Sequence, residues 1–273
     1  MFAIANMQYQ LSAGTEYVNN IWAARYFWSH LALSDLRSLF RRSSIGMLWA
    51  VLNPLFHTLL LSLIMGQLFQ QEIGDFAPFV FSGTIVWEYL TTSANAGCRT
   101  FINAEGYIKQ FRQPLAIYPL RNVVANIIVF ILALSGLILW VILWKPSNFG
   151  WSWLSLVLVI PIYIFFAWPI AIVFGFINVR MRDFVHLVGL LIQALWFASP
   201  VFIRPEFFMK AGMWFLVTIN PVYHLLNLLR APLLTGSFPC LINYFAVLVT
   251  AAAFWLFAVF LIIKQEKNLV FYL

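Results

Sequence analysis

Nine carboxylates, four histidines and two cysteines are the side chains best suited to move protons near neutral pH or ligate metals in this 273-residue chain. His30, His57, His186 and His224 follow no H-E-x-x-H or comparable ligand spacing, so the sequence assembles no metal site. Neither a Ser–His–Asp order nor a paired-carboxylate arrangement emerges from the spacing. A G-x-x-x-x-G-K-[ST] loop is missing, which excludes ATP binding in the P-loop manner by this chain. Cys98 and Cys240 fall at opposite ends of their apolar runs, so no intramolecular disulfide is expected. The chain is not expected to be an enzyme. What remains are charges in unusual places: Glu88 inside an apolar run, the arginines of SHLALSDLRSLFRR, and the mixed charges of RTFINAEGYIKQFRQPLAIYPLR.

The elements that would position those charges follow from composition. Hydrophobic residues make up 63% of the chain and charged residues 9%, with a mean hydropathy of +0.89. Too little charge is left to cover a water-facing surface, which excludes a soluble enzyme and a disordered chain. The net charge of +7 comes from sixteen scattered Lys and Arg, too few for a nucleic-acid stripe. Basic residues on cytoplasmic loops of a membrane protein account for it.

A membrane span needs about 20 apolar residues. Charge-free intervals at 43–71, 122–144, 146–179, 184–203 and 231–263 qualify, and 76–98 is interrupted only by Glu88. Their length and lack of alternation predict helices rather than barrel strands. A further interval, 211–229, carries Asn220–Pro221 at its centre and reads as two short helices that enter the membrane and return. With six spans, twelve positive residues lie on one side, against Lys145, Arg204, Lys210 and Arg230 on the other. That asymmetry puts both termini in the cytoplasm. The expected fold is thus an all-α integral membrane protein forming one domain over 1–273. It has six transmembrane helices, an N-terminal amphipathic interface helix, and a re-entrant external helix pair between spans 5 and 6.

Within SHLALSDLRSLFRR, helical spacing gathers Ala32, Leu33, Leu36, Leu39 and Phe40 on one side, with Asp35, Arg37, Arg41 and Arg42 opposite and Leu31 intruding. Such a helix is either a membrane-surface anchor or a lateral gate that meets an anionic substrate. In the span 2–3 connection, Glu105 to Phe111 predicts a short helix stopped before Pro114; it either fixes topology or docks into a partner's groove. Arg182–Asp183 would lock two helix ends together. Glu88 and Tyr89 mark either a hydrated path or a polar contact inside the bundle. Trp140, Trp144, Trp151 and Trp153 suit an interfacial belt. Phe207, Phe208, Trp214, Phe215 and Tyr223 either pack or offer sliding contacts to sugar rings.

Taken together, DLRSLFRRSSIGMLWAVLNPL (Asp35–Leu55), NVRMRDFVHLVGLLIQALWFASPVF (Asn178–Phe202), NP-x-x-H at Asn220–His224 and then Arg230 resemble, in order and spacing, ABC-2 type polysaccharide export permeases. O-antigen exporters are the nearest in kind, with capsule and teichoic-acid permeases related. The resemblance runs from about residue 25 to 264 and implies a bacterial inner-membrane homodimer enclosing a channel. Two copies of a separate ATP-binding subunit, holding ATP and Mg, would drive it; this chain itself would need no cofactor. The resemblance makes residues 20–42 a gate helix with Arg37, Arg41 and Arg42 at the substrate entry. It makes 99–121 the coupling segment, through Glu105, Ile108, Lys109 and Arg112. It makes 204–239 the external gate, with Ser199, Pro200, Phe208, Trp214, Asn220, Pro221 and Tyr223. The expected cargo is an undecaprenyl-diphosphate-linked polysaccharide. The alternatives are an ABC-2 permease for a hydrophobic small molecule and a proton-coupled transporter using Glu88.

Overall fold

The computed structural model describes residues 14–41, 43–68 and 70–273, so Arg42 of the expected entry gate lies outside the described residues. The described residues are helical, with no strand among them. A helical lead from residue 14 runs into α1 (Arg25–Phe40). The long elements are α2 (Trp49–Leu68), α3 (Ile73–Asn103), α5 (Ile117–Trp144), α6 (Ser155–Arg180) and α11 (Leu241–Gln265). Between them lie α4 (Glu105–Gln110), α7 (Phe184–Ala198), α8 (Pro205–Lys210), α9 (Phe215–Thr218) and α10 (Pro221–Arg230).

Four helical stretches are long and apolar enough to cross a membrane: Gly46–Leu68, Ile117–Trp144, Trp151–Arg180 and Leu241–Gln265. Two of the six expected spans miss that mark for different physical reasons. The helix α7 is apolar but has 15 residues, about 22 Å of rise, shorter than a hydrocarbon core of about 30 Å. The helix α3 is long, 31 residues, but polar. Its polarity follows from its position, because α3 is the central post against which α6, α5 and α2 pack. Seventeen of its residues are buried, and several of its polar side chains bond to neighbouring helices. Thr58 and Thr84 hydroxyls meet at 3.2 Å between α2 and α3. Asn122 Nδ2 donates to Thr100 Oγ1 at 3.0 Å and Asn126 Nδ2 to Ser93 Oγ at 3.2 Å, tying α5 to α3.

Close approach of α3 and α6 depends on small residues, as in other membrane helix pairs. A Cβ on Gly97 would stand 2.6 Å from Ala171 Cα, and one on Gly175 would stand 2.9 Å from Phe101 and Thr100. Above that crossing, Tyr89, Phe130 and Tyr163 form an aromatic block; Tyr89 and Tyr163 stack at 5.8 Å between ring centroids. Tyr89 is buried there and its hydroxyl donates to Tyr163 O at 3.0 Å. It is a core residue, which corrects its assignment to a polar path: a phenol satisfied by a backbone carbonyl has no reason to face water.

The helix α1 packs on α5 with a face rotated from the expected one. Leu31, Ala32 and Leu36 are buried, whereas Leu33 and Leu39 are exposed. The rotation has a cause: Asp35 turns inward to an ion pair of 3.4 Å with the buried Arg121 at the start of α5. A buried guanidinium needs a partner more than two leucines at a membrane surface need cover.

Candidate functional site

Three groups of expected residues lie in three separate places. The first is the α4 end of the bundle. The short helix between α3 and α5 forms as the sequence predicts, ending one residue before Phe111 takes an extended conformation. Ile108 is buried against Phe101, Ala104 and Leu115 and fastens α4 to the bundle. Glu105 and Lys109, one turn apart, pair at 2.5 Å on the exposed face, and Arg112 is exposed just beyond. One apolar side chain therefore anchors a helix whose remaining charges point outward, the form of a docking element.

The same end gathers segments that sequence spacing could not relate. Phe27 of α1 meets Tyr107 of α4 edge-on at 6.1 Å and Phe111 at 6.4 Å. Arg121, paired with Asp35, lies 6.0 Å from the Tyr107 ring. Arg37 and Arg41 are exposed on the side of α1 turned away from α5. The helix α1 thus carries the outward Arg37, leads into Arg41, and touches α4 through Phe27.

Glu266 closes this end. The Leu115 amide donates to its Oε1 at 2.9 Å and the Tyr17 hydroxyl donates to the same oxygen at 3.1 Å. The Ala116 amide in turn donates to the Tyr17 hydroxyl at 3.3 Å. Burial raises the Glu266 carboxyl above its ordinary range, and the two donated hydrogen bonds oppose that shift. A raised carboxyl favours the neutral form, so its contribution to stability is full below the ordinary glutamate value and declines as pH rises through the folded one. At pH 7.5 Glu266→Gln should therefore match or exceed the wild-type unfolding midpoint, since the amide oxygen still accepts both bonds. Glu266→Ala should lose about 1–3 kcal/mol by orphaning two donors. Thermal unfolding in detergent at pH 5 and 7.5 checks this; equal losses for both variants would show that the charge is needed.

Sequence reasoning assigned Arg121 only to a basic loop; it is buried and holds α1 in place. The expected Arg182–Asp183 lock is not formed. Both residues are exposed, and no ion pair joins them among the described residues. The α6–α7 turn is instead held by Asn178, whose Oδ1 accepts from the Val185 amide at 3.1 Å. A neutral amide inside the turn does this without dehydrating two charges.

Glu88 sits alone in the middle of the bundle. It is half-buried on α3. Glu88 and the buried Tyr89 point to different surroundings, as consecutive helical residues must.

The third group lies at the opposite end. The interval 205–230 is three short helices, the longest of ten residues, about 15 Å. Asn220 caps α10: its Oδ1 accepts from the Val222 amide at 2.9 Å, and Pro221 occupies the first helical turn. Its Nδ2 donates to Ser199 Oγ at 2.9 Å and Ala198 O at 3.2 Å, so one amide joins α10 to the end of α7. Ser199, Pro200 and Phe208 are buried, Tyr223 is half-buried, and Trp214 is exposed.

The centre of this end is a residue whose part the motifs did not reveal. Arg230 is buried; Nε donates to Ser82 Oγ at 3.0 Å, Nη1 to Pro200 O at 2.7 Å, and Nη2 to Phe79 O at 3.1 Å and Val201 O at 2.6 Å. The guanidinium carbon lies 3.7 Å from the Phe79 ring centroid. Gly83 makes room for it, since a Cβ there would fall 2.1 Å from Val201 O and 2.8 Å from Arg230 Nη2. One side chain thereby fixes α10 to the start of α3 and to the turn after α7. The signals available in sequence were an arginine closing a span-length apolar interval and a glycine within α3. Among the described residues no cluster of His, Cys, Asp or Glu is placed to hold a metal.

A bundle of apolar helices with an anchored, outward-charged α4 is the form of a membrane transport subunit. Residues 27–234 match the ABC-2 type transporter family. The chain belongs to that family. It is also similar to the O-antigen export system permease protein RfbA of Myxococcus xanthus, with 27% identity across 67% of this chain and 70% of that protein. A protein of the same name from Klebsiella pneumoniae is 22% identical over 74% of this chain and 78% of its own length. The polysialic acid transport protein KpsM of Escherichia coli is 23% identical over 82% of this chain and 88% of its own. This ABC-2 permease is a multi-pass membrane protein, and its homologues are export permeases for O-antigen and other polysaccharides.

Proposed function

We propose that this chain is the membrane subunit of an ATP-driven exporter that moves a lipid-linked polysaccharide, with an undecaprenyl-diphosphate-linked O-antigen as the expected cargo. The observation that carries the reading is the family match over residues 27–234 together with relatives named as glycan export permeases. Two protomers enclose the channel in the inner membrane, with both termini cytoplasmic, and a separate subunit in two copies hydrolyses ATP. This chain supplies no hydrolytic group.

In this reading α3 and α7 complete six spans: α3 is covered by protein, and α7 is lengthened by Ser199–Ile203 and by bilayer adaptation. The helices α8, α9 and α10 form a re-entrant external gate, shielded by the Asn220 and Arg230 bonds. Phe208, Trp214 and Tyr223 line its inner side, and Ser199, Pro200, Asn220 and Pro221 hold its bend. Arg37 of α1, with Arg41 and Arg42 that follow it in sequence, meets the pyrophosphate of the cargo; an exposed basic charge at the interface adds about 1 kcal/mol of attraction to anionic headgroups. The ATP-binding subunit docks on Glu105, Lys109 and Arg112 with Ile108 as the root, and the stroke reaches α1 through Tyr107 and Phe27. Aromatic faces let sugar rings slide, whereas fixed hydrogen bonds would hold them.

Two experiments test this. Arg112→Glu is the clean coupling variant, because Arg112 is exposed and its reversal leaves the Glu105–Lys109 pair intact. We expect glycan export and partner-stimulated ATP hydrolysis to fall at least about tenfold (a loss of about 1.4 kcal/mol of coupling) with an unchanged unfolding midpoint; normal export sinks the coupling role. Orientation is read by single cysteines at Lys210 and Ser237 in a background lacking Cys98 and Cys240. Ser237 is exposed, whereas Arg230, which a six-span scheme by itself would also mark as reachable, is buried. Both cysteines should label from outside intact cells. Labelling of Ser237→Cys only after permeabilisation would make 211–229 a crossing and end the six-span scheme.

A further inference from the structure

At the end of the bundle remote from α4 there is a cavity of about 410 Å³ between the start of α3, the end of α5, α8 and α10. Its size falls in the ligand-pocket range of about 300–1,000 Å³. Asp75, Lys145, Arg204, Glu206 and Arg230 line it, with Tyr223 on the wall. The charges are unevenly committed. Lys145 Nζ and Asp75 Oδ1 pair at 2.6 Å and largely cancel. All four hydrogen bonds of Arg230 go to neutral oxygens, so its charge is offset only at a distance, by Glu206, and one of its five N–H groups is unspent. Arg204 has a buried Nε with no hydrogen-bond partner. Both guanidinium groups lie by the Phe79 ring, at 5.7 Å and 3.7 Å. No carboxylate lies within 4 Å of either guanidinium among the described residues.

Two partly dehydrated guanidinium groups beside one ring are costly unless an anion sits with them. The Arg fork matches phosphate and carboxylate oxygens in two-point contacts. We propose that this cavity is a binding site for an oxyanion, phosphate or carboxylate, engaged by Arg204 and by the unspent N–H of Arg230. The anion comes from an acidic sugar unit or from a phospholipid headgroup of the nearby leaflet. The site stands whether or not the cargo of this permease is a glycan, since it rests on the charges alone. Glu206, on the same lining, weakens the anion and sets an upper limit on how tightly it is held.

The test uses the full-length protein in dodecyl maltoside, a neutral detergent, with binding followed by native mass spectrometry or thermophoresis. The probes are trigalacturonate, dihexanoyl phosphatidate and, as the uncharged control, maltotriose. We expect at least one anionic probe to bind saturably, at least tenfold tighter than maltotriose, and Arg204→Gln to weaken it tenfold. Trigalacturonate as the better ligand identifies the acidic-sugar source; phosphatidate as the better ligand identifies the headgroup source. Glu206→Gln should tighten the same probe about threefold, a gain that misfolding cannot imitate. Binding of neither anion, equal binding of maltotriose, or indifference to both substitutions overturns the site.

Discussion

Replacing Arg230 with Met is expected to abolish most of the folded protein recovered from membranes. Four hydrogen bonds vanish at once; the Phe79 carbonyl keeps the Ser82 hydroxyl as a donor, but the buried carbonyls of Pro200 and Val201 lose the side-chain donor that reaches them. Each orphaned group costs about 1–3 kcal/mol, so the two together take a large share of the stability of an ordinary domain, about 5–15 kcal/mol. Arg230→Lys should recover only part, because three donors on a point charge cannot span acceptors placed for a planar fork. Gly83→Ala should reproduce the defect from the other side by forcing a Cβ into Val201 O. The measurement is the monodisperse fraction by size exclusion and the thermal unfolding midpoint. An Arg230→Met protein as stable as wild type would show that the clamp carries no net energy.

The second large effect is expected at Gly97. Its absent Cβ would stand 2.6 Å from Ala171 Cα and 2.8 Å from Ala171 Cβ, and backbone cannot swing aside as the end of a side chain can. Gly97→Ala should push α3 from α6 and cost about 1–3 kcal/mol, and Gly97→Leu more. Gly106→Ala in α4 is the matched control. Nothing lies within 4 Å of a Cβ there, so the change should be neutral or stabilise α4 by up to about 1 kcal/mol. Comparing the three unfolding midpoints separates steric exclusion from helix propensity. A Gly97→Ala protein with an unchanged midpoint would mean that the crossing has slack.

Gly97 lies away from the segments that the motifs single out and Arg230 at the end of one, and we expect both to bear on transport. Arg230 fixes the start of α3, whose far end leads into α4, and Gly97 sets how closely α6 follows that helix. In the proposed coupling, a stroke delivered at α4 would travel along α3 to the Arg230 contacts at Ser82 and Phe79, about 35 Å away at 1.5 Å per residue. A loosened clamp should therefore lower export before it lowers membrane insertion.

The amino-acid sequence by itself determined that this is a helical membrane protein, where most of its long apolar helices run, and that 211–229 breaks at Asn220–Pro221. Those properties are local: hydropathy over a window, a proline lacking an N–H, a charge count between runs. It also located α4, because the charges of Glu105 and Lys109 and the coming Pro114 act within two turns. Tertiary structure decided which face of α1 turns inward, because Asp35 answers to Arg121, 86 positions away in sequence. It made Tyr89 a core residue, because Tyr163 O lies above it. It left Arg182 and Asp183 apart and turned Arg230 from one more positive charge into a clamp on Ser82 and three carbonyls. Burying a polar group forces it to find a partner, and which partner comes within 3 Å is fixed only when the helices pack.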